Sequence, residues 1–321
     1  MCPQQIQTVQ GPVAIEALGL VLPHEHLFTD LRGPLAPGYA RAAPEAVARV
    51  MGPFLAAAHA AGVTAFVECS TVGVGRNIAV LRHLADITPI HIVAPTGVYR
   101  EAFVPPSIRG MSIEEMAGLW VRDLTEGIEG TDVCAGFIKI SASDGGPTIL
   151  EERILKAAAL ASQQTGAAVA SHTANGAIAR REMEILESAG LNLGRFIWVH
   201  ANLEADTAIH LEAAQRGAYV EFDAVGAEWQ SQTAMIEYTL ALIEAGYAEK
   251  ILLSHDAGWY DPSQPGGQPE EGGIRGFTAL VDDYLPALRA RGVTYDLAHL
   301  LTVANPARAF AFSDTNSTLE N

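Results

Sequence analysis

The sequence predicts an α/β protein, a (β/α)8 TIM barrel formed as one domain over residues 1–321. Three observations carry that expectation. Short β-like runs recur eight times, helix-patterned and often alanine-rich segments lie between them, and ionisable residues cluster where the runs end. Eight strands alternating with helices over about 250 residues is the arithmetic of this barrel. A doubly wound open sheet is the competing architecture, but no Gly-x-Gly-x-x-Gly fingerprint follows the first run.

The first run is Leu20-Val21-Leu22, closed by Pro23. Next come Val63–Glu68, Ile90–Ala94, Gly136–Ile140, Ala167–Ser171, Arg195–Val199, Ala218–Phe222 and Lys250–Ser254. Amphipathic helices are predicted over Glu45–Ala61, Ile113–Ile128, Glu151–Thr165 and Thr233–Ala245. Gly62, Gly166, Gly190, Gly217 and Gly246 each precede a run, as expected of residues that end helices in a left-handed conformation. The Gly- and Pro-rich stretch Ala257–Gly276 reads as a substrate loop or lid rather than an element.

Composition narrows the function. The chain is 49% hydrophobic, yet no apolar run is long enough to span a bilayer. Its N-terminus lacks the basic-then-apolar profile of a signal peptide. Three dispersed cysteines, Cys2, Cys69 and Cys134, form neither a disulfide framework nor a Cys-x-x-Cys motif, so a reducing cytoplasm is expected. With 37 acidic against 20 basic residues and no basic cluster, neither nucleic acid nor an anionic membrane is expected as a partner. The same balance disfavours a highly charged anionic substrate unless local charge reverses it.

The polar residues then become informative. On an extended chain, His24 and His26 project to one face with Glu25 opposite. Lys139 ends the fourth run, His172 follows the fifth, His200 ends the sixth and Asp256 follows the eighth. A barrel gathers all these ends on one face, where its active sites are built. His24, His26 and Asp256 can hold one divalent cation, and His172 and His200 a second. Two adjacent cations need a bridging anion, and no spare carboxylate stands at the right strand ends. Lys139 stands there instead. It either points to solvent, which spacing alone favours, or carries CO2 as an anionic carbamate. Of the remaining histidines, His59, His83, His210 and His299 fall in helix-like segments, His91 lies away from the catalytic face, and His255 should point away from Asp256.

Several stretches carry a family resemblance: Gly19–His26, Gly136-Phe137-Ile138-Lys139, Ser171-His172-Thr173, Val199-His200, Ser254-His255-Asp256 and Asn305-Pro306-Ala307-Arg308. In this order, spanning nearly the whole chain, they resemble the phosphotriesterase family of the amidohydrolase superfamily, including its lactonase branch. The resemblance implies a carboxylated Lys139 bridging two divalent metals, zinc first and manganese, cobalt or iron as alternatives. It implies hydrolysis by a metal-bridging hydroxide, with Asp256 as ligand and proton acceptor. Asp223, ending the seventh run, either relays that proton, orients a ligand, or serves as a helix cap or solvated turn residue. Tyr99 matches a tyrosine that family lactonases place over the metal centre, although as a bare feature it reads as loop packing.

Trp259, Tyr260 and Trp229 are expected to wall the substrate pocket, or else to pack within loops. Arg275 is a candidate for recognising a substrate anion, or else an ordinary surface arginine. Ala224 follows Asp223 where many lactonase-branch members carry an arginine, and the loop after Asp256 also differs, which leaves the substrate open. The expected activity is therefore hydrolysis of a small-molecule lactone or ester by a homodimeric enzyme, with accompanying phosphotriesterase activity. N-acyl amide hydrolysis and dedicated phosphotriester hydrolysis are the enzymatic alternatives. A non-catalytic ligand-binding protein on the same fold is the non-enzymatic one.

Overall fold

A computed structural model describes residues 4–269 and 273–313. Cys2 and residues 270–272 of the predicted loop lie outside the described residues. An antiparallel hairpin, β1 (Gln5–Thr8) and β2 (Gly11–Ala14), comes first. The barrel follows with β3 (Leu20–Phe28), β4 (Val63–Glu68), β5 (His91–Val93), β6 (Pro95–Gly97), β7 (Phe137–Ser141), β8 (Val169–His172), β9 (Phe196–Val199), β10 (Tyr219–Phe222) and β11 (Ile251–Leu253). β5 and β6 are two halves of one barrel position interrupted at Ala94, so eight positions result, in agreement with the eight predicted runs.

The pairings within the barrel are all parallel, in sequence order. The ring closes where Asp256 N donates to His24 O (3.2 Å) and His24 N donates to Ser254 Oγ (3.0 Å). The chain after β11 then forms β12 (Gly258–Tyr260), which pairs with β3 through Gly258↔His26 and Tyr260↔Phe28. This corrects the expectation that Ala257–Gly276 holds no element. Its Gly/Pro content hides a three-residue strand too short to register as a period.

Both faces of each strand are apolar because one faces the barrel interior and the other the helices. Ala65, Val67, Ala168, Ala170, Ile197 and Val199 form an inner cluster with Phe137 and Phe310. Their neighbours Phe66, Ile138, Val169, Phe196 and Trp198 belong to the outer cluster packed under helices. The hairpin closes the N-terminal end, where Val9 N donates to Ile92 O (2.8 Å) and Ile6 is buried.

Helix bounds moved for local reasons. The helix predicted from Glu151 begins at Ile149, because Thr148 and Glu151 form a reciprocal capping box. That predicted to Ile128 ends at Thr125, two residues before Gly127 at φ 129°. Pro23 does not end the first run. It lies within β3 at a register shift between Leu22 and Glu25, the kind of irregularity that spares proline its missing donor.

Candidate metal and catalytic site

The C-terminal ends of the strands bring His24, His26, Lys139, His172, His200 and Asp256 to one cavity of about 140 Å³. Tyr99, Trp259, Cys69, Leu31 and Val74 complete much of its wall. His24 and His26 share a face of β3, with ring centroids 5.3 Å apart, as strand alternation requires. Glu25 points the other way and is fully buried.

The histidines are oriented from behind. His24 Nδ1 lies 2.8 Å from Glu221 Oε1 and 3.3 Å from Asp223 Oδ2. His26 Nδ1 meets Ser70 Oγ at 2.8 Å, and His200 Nδ1 meets Asp223 Oδ1 at 2.9 Å. Each ring thereby turns its Nε2 forward. His24 Nε2 and His26 Nε2 converge on Asp256 Oδ1 at 3.4 and 3.0 Å, and His200 Nε2 lies 2.8 Å from His172 Nδ1. Such outer partners fix the tautomer and aim of metal-binding imidazoles. One nitrogen each from His24 and His200 and one oxygen of Asp256 all lie within 4.8 Å of one another, so the two predicted ligand groups interlock.

Lys139 does not point to solvent. Its residue is 2% exposed and its buried Nζ has no hydrogen-bond partner among the described residues. A buried, unpaired ammonium is strongly unfavourable. A carbamate formed from the neutral amine and CO2, with release of one proton, would replace that cation by an anion among metal-ligating groups. The residues therefore fit a binuclear centre with a carboxylated lysine.

The turn carrying Asp256 is held by a small scaffold. Asp256 has φ 50° and His200 φ 63°, left-handed conformations uncommon outside glycine. Glu25 Oε1 accepts from Ser254 Oγ (2.8 Å) and His255 N (3.0 Å), and Glu25 Oε2 from Ala257 N (3.0 Å). His255 points away from the cavity, with Nδ1 2.6 Å from Glu25 Oε1 and Nε2 accepting from Leu280 N. Arg275 Nη2 donates to the carbonyls of His255 (2.7 Å) and Asp256 (2.6 Å). The expectation that Arg275 recognises a substrate anion is corrected: its fork is committed to the backbone of the Asp256 turn.

Electrostatics follow from this burial. Burial, aided by the Lys139 cation, lowers the His24 pKa to about 3. For His26 burial acts the same way, but hydrogen bonds to Asp256 and Glu68 outweigh it and raise the pKa to about 9. Burial would raise Asp256 and Asp223, yet neighbouring histidines hold both carboxyls well below their usual range. Burial and the charge of Asp223 push Glu221 upward.

Among the aromatic candidates, Tyr99 and Trp259 wall the cavity, with the Tyr99 hydroxyl 3.3 Å from His172 Nδ1 and the Trp259 ring 6.0 Å from that of His26. Tyr260 instead stacks on Phe28 (6.1 Å, 10° between planes), because strand alternation turns it away from Trp259. Trp229 is 63% exposed in the turn after β10 and, like Tyr260, is not among the residues lining the cavity. Both wall assignments are corrected accordingly.

Glu221, Glu68 and Arg100 were not anticipated. Glu221 sits two residues before Asp223 on β10, so alternation puts both carboxyls inside, and an acid in Tyr219-Val220-Glu221-Phe222 was the available signal. Glu68 ends β4 and accepts from Ser70 N (2.7 Å) and Leu27 N (2.5 Å), so strand ends do hold carboxylates beyond Asp256. These serve as rear supports rather than a bridge. Arg100, which reaches His172, is one residue beyond Tyr99 and carried no sequence signal.

Comparison with known proteins agrees with this architecture. The model of the Phosphotriesterase family matches residues 4–310. A phosphotriesterase homology protein of Mycobacterium tuberculosis is 31% identical, over 95% of this chain and 97% of its own. An aryldialkylphosphatase of Saccharolobus solfataricus is 29% identical over 78% of this chain and 81% of its own. An N-acetyltaurine hydrolase of Tetraodon nigroviridis is 28% identical over 96% of this chain and 98% of its own. A solved structure described as organophosphate hydrolysis engineered from a weak promiscuous lactonase template superposes with a TM-score of 0.86 at 30% identity, covering 95% of this chain and 99% of that one.

Proposed function

The chain belongs to the phosphotriesterase family of metal-dependent hydrolases, within the amidohydrolase superfamily, and from that premise we propose that it is a binuclear-metal lactonase. The observation that supports this best is the meeting of six ligand-type side chains from five strand ends, with the buried Lys139, unpartnered among the described residues, as one of the six. In this reading His24, His26 and Asp256 hold one divalent ion, His172 and His200 the other, and carboxylated Lys139 joins them. Zinc is the first expectation, with manganese, cobalt or iron as alternatives. When bound, such a pair supplies a nucleophilic water near neutral pH and polarises the acyl oxygen.

The protein's own residues handle protons and fit. The Asp256 side chain is 26% exposed, against 1% for Glu221 and Glu68, so it is the carboxylate placed to accept a proton and hand it to solvent. Asp223 is fully buried and bonded to His200, which suits orientation of that ring rather than a relay outward. The Tyr99 hydroxyl, at the cavity wall, can donate to an oxyanion or to the departing alkoxide. Trp259, Leu31 and Val74 provide apolar surface for the body of a lactone. Promiscuous phosphotriester hydrolysis accompanies this activity, in line with the name of the Saccharolobus solfataricus relative. N-acyl amide hydrolysis is the second reading, favoured by the relative named N-acetyltaurine hydrolase. A single-domain, cytoplasmic homodimer completes the proposal, the compartment supported by free Cys69 and Cys134 and the dimer by family resemblance.

Elemental analysis of protein prepared with divalent metal and bicarbonate tests the centre. Two metals per chain are expected, with most of that content and at least 10³-fold in kcat lost in Lys139→Ala. One metal or none, unchanged in the variant, would remove the bridged centre. Parallel panels of lactones, phosphotriesters and N-acyl amino acids then rank the substrates.

A further inference from the structure

Arg100 does not itself line the cavity but bonds to two residues that do, and it is a charged group that neither the ligand set nor the proton-handling groups employ. Its Nη2 lies 2.5 Å from His172 Nε2 and 3.4 Å from the Tyr99 hydroxyl, both on wall residues of the cavity. The guanidinium carbon stands 5.2 Å from the centre of the Tyr99 ring, so the aromatic face also holds the fork in place. Its Nε is buried without a partner among the described residues. The one carboxylate it meets, Asp144, offers a single contact at 3.2 Å from a side chain that is 66% exposed. Exposed contacts of this kind contribute little and exchange readily.

The loop bearing Arg100 is firmly placed. Fully buried Glu151 accepts from Glu101 N (2.9 Å), Ser143 N (3.1 Å) and Ser143 Oγ (2.7 Å). One carboxylate thus ties the segment after β6 to the segment after β7, leaving the guanidinium with a fixed approach to the cavity. The contact to His172 is itself conditional. Arginine has no lone pair, so this bond requires Nε2 to be the acceptor. A His172 that ligates through Nδ1 carries its proton on Nε2, and Arg100 then faces a donor. Nη2 then keeps only its long contact to the Tyr99 hydroxyl, at 3.4 Å.

Resting on the hydrolase reading above, we propose that Arg100 determines specificity for a substrate bearing one compact oxyanion, a carboxylate first, a few bonds from the scissile acyl carbon. A guanidinium fork suits such a group bidentately. The long-range field of a chain with net charge −17 repels anions, so one local cation bonded to two residues of the cavity wall supplies what the global charge opposes. A neutral phosphotriester leaves that fork unsatisfied, whereas a carboxylated lactone or an N-acyl amino acid satisfies it.

The test pairs turnover with binding. A γ-butyrolactone carrying a ring carboxylate is compared with the same lactone carrying the neutral carboxamide, on metal-loaded wild type, Arg100→Met and Arg100→Lys. Wild type should prefer the carboxylate at least 30-fold in kcat/KM. That ratio should collapse to within threefold in Arg100→Met and be partly kept in Arg100→Lys. Calorimetric titration with glutarate, against butyrate as the single-carboxylate probe, should show at least tenfold tighter binding of glutarate in wild type and no such difference in Arg100→Met. The wild-type preferences need no variant, so a misfolded Arg100→Met leaves the test standing. Equal turnover of both lactones with no glutarate preference would overturn the role of Arg100 and keep the hydrolase. Loss of metal from Arg100→Met, with the carboxylate preference retained, would also overturn it and make Arg100 a support for His172. Absence of turnover with the glutarate preference intact would overturn the lactonase and keep Arg100 as an anion site.

Discussion

Glu182 shows how a single buried residue beside the site can set the pH response of the fold's stability. It is fully buried, and its two oxygens accept from Ser171 Oγ and Thr173 Oγ1, each at 2.5 Å, on either side of His172. Burial, only partly offset by these bonds, raises its pKa to about 7 from the ordinary 4.5. Between those values the folded chain keeps a proton that the unfolded chain has lost, so stability falls as pH rises from about 4.5 to about 7. A shift of this size corresponds to about 3 kcal/mol. Denaturant unfolding from pH 4 to 8 should show the decline in wild type and flatten it in Glu182→Gln; an unchanged slope would mean Glu182 is not its source. At this scale the sequence was legible where strand alternation acts. It placed His24 with His26, and Glu25 and His255 away from them. It was not legible where a residue's partner lies on another strand. Glu221 meets His24 across 197 positions, and Arg275 spends its charge on a turn 19 and 20 residues upstream.

Among elements, the junction of β6 and β7 leaves no room for a side chain. Gly97 has φ +97°, and a Cβ there would stand 2.1 Å from Lys139 O, backbone that cannot yield. Gly97→Ala should therefore cost at least about 3 kcal/mol, combining overlap with a disfavoured conformation; an unfolding midpoint within 1 °C of wild type would contradict this. Arg275 braces an element rather than a ligand. Arg275→Met should lower kcat by about 10- to 100-fold, as a displaced catalytic group does, with a much smaller change in KM. A dominant rise in KM would return Arg275 to the role of substrate contact. The runs themselves were readable because two apolar faces make each strand a short continuous apolar segment. β12 and the continuation of β3 past Pro23 were not, because pairing rather than composition creates them.

For the whole molecule, metal and fold should be linked. The proposed ligands come from β3, β7, β8 and the segments after β9 and β11, so a bound centre would tie opposite sides of one ring. Chelation should lower the thermal midpoint and leave one cooperative transition, and restoring metal with bicarbonate should recover it. Two separated transitions would contradict the single domain, and an unmoved midpoint would contradict the linkage. The barrel was legible at this scale from the count and spacing of runs, and the anionic surface from composition. The shape of the cavity was not, since Leu31 and Val74 reach it from two different loops and Trp259 from β12.

The brace on the Asp256 turn has a consequence for how such an enzyme can diverge. Arg275 closes the segment that begins at Asp256, and β12 within that segment is welded to the strand bearing His24 and His26. The surface that selects a molecule and the groups that break it are therefore one mechanical part. If Asp256 holds metal as proposed, a change that reshapes this segment for a new substrate should also re-aim that ligand, so altered selectivity should come with weakened metal retention.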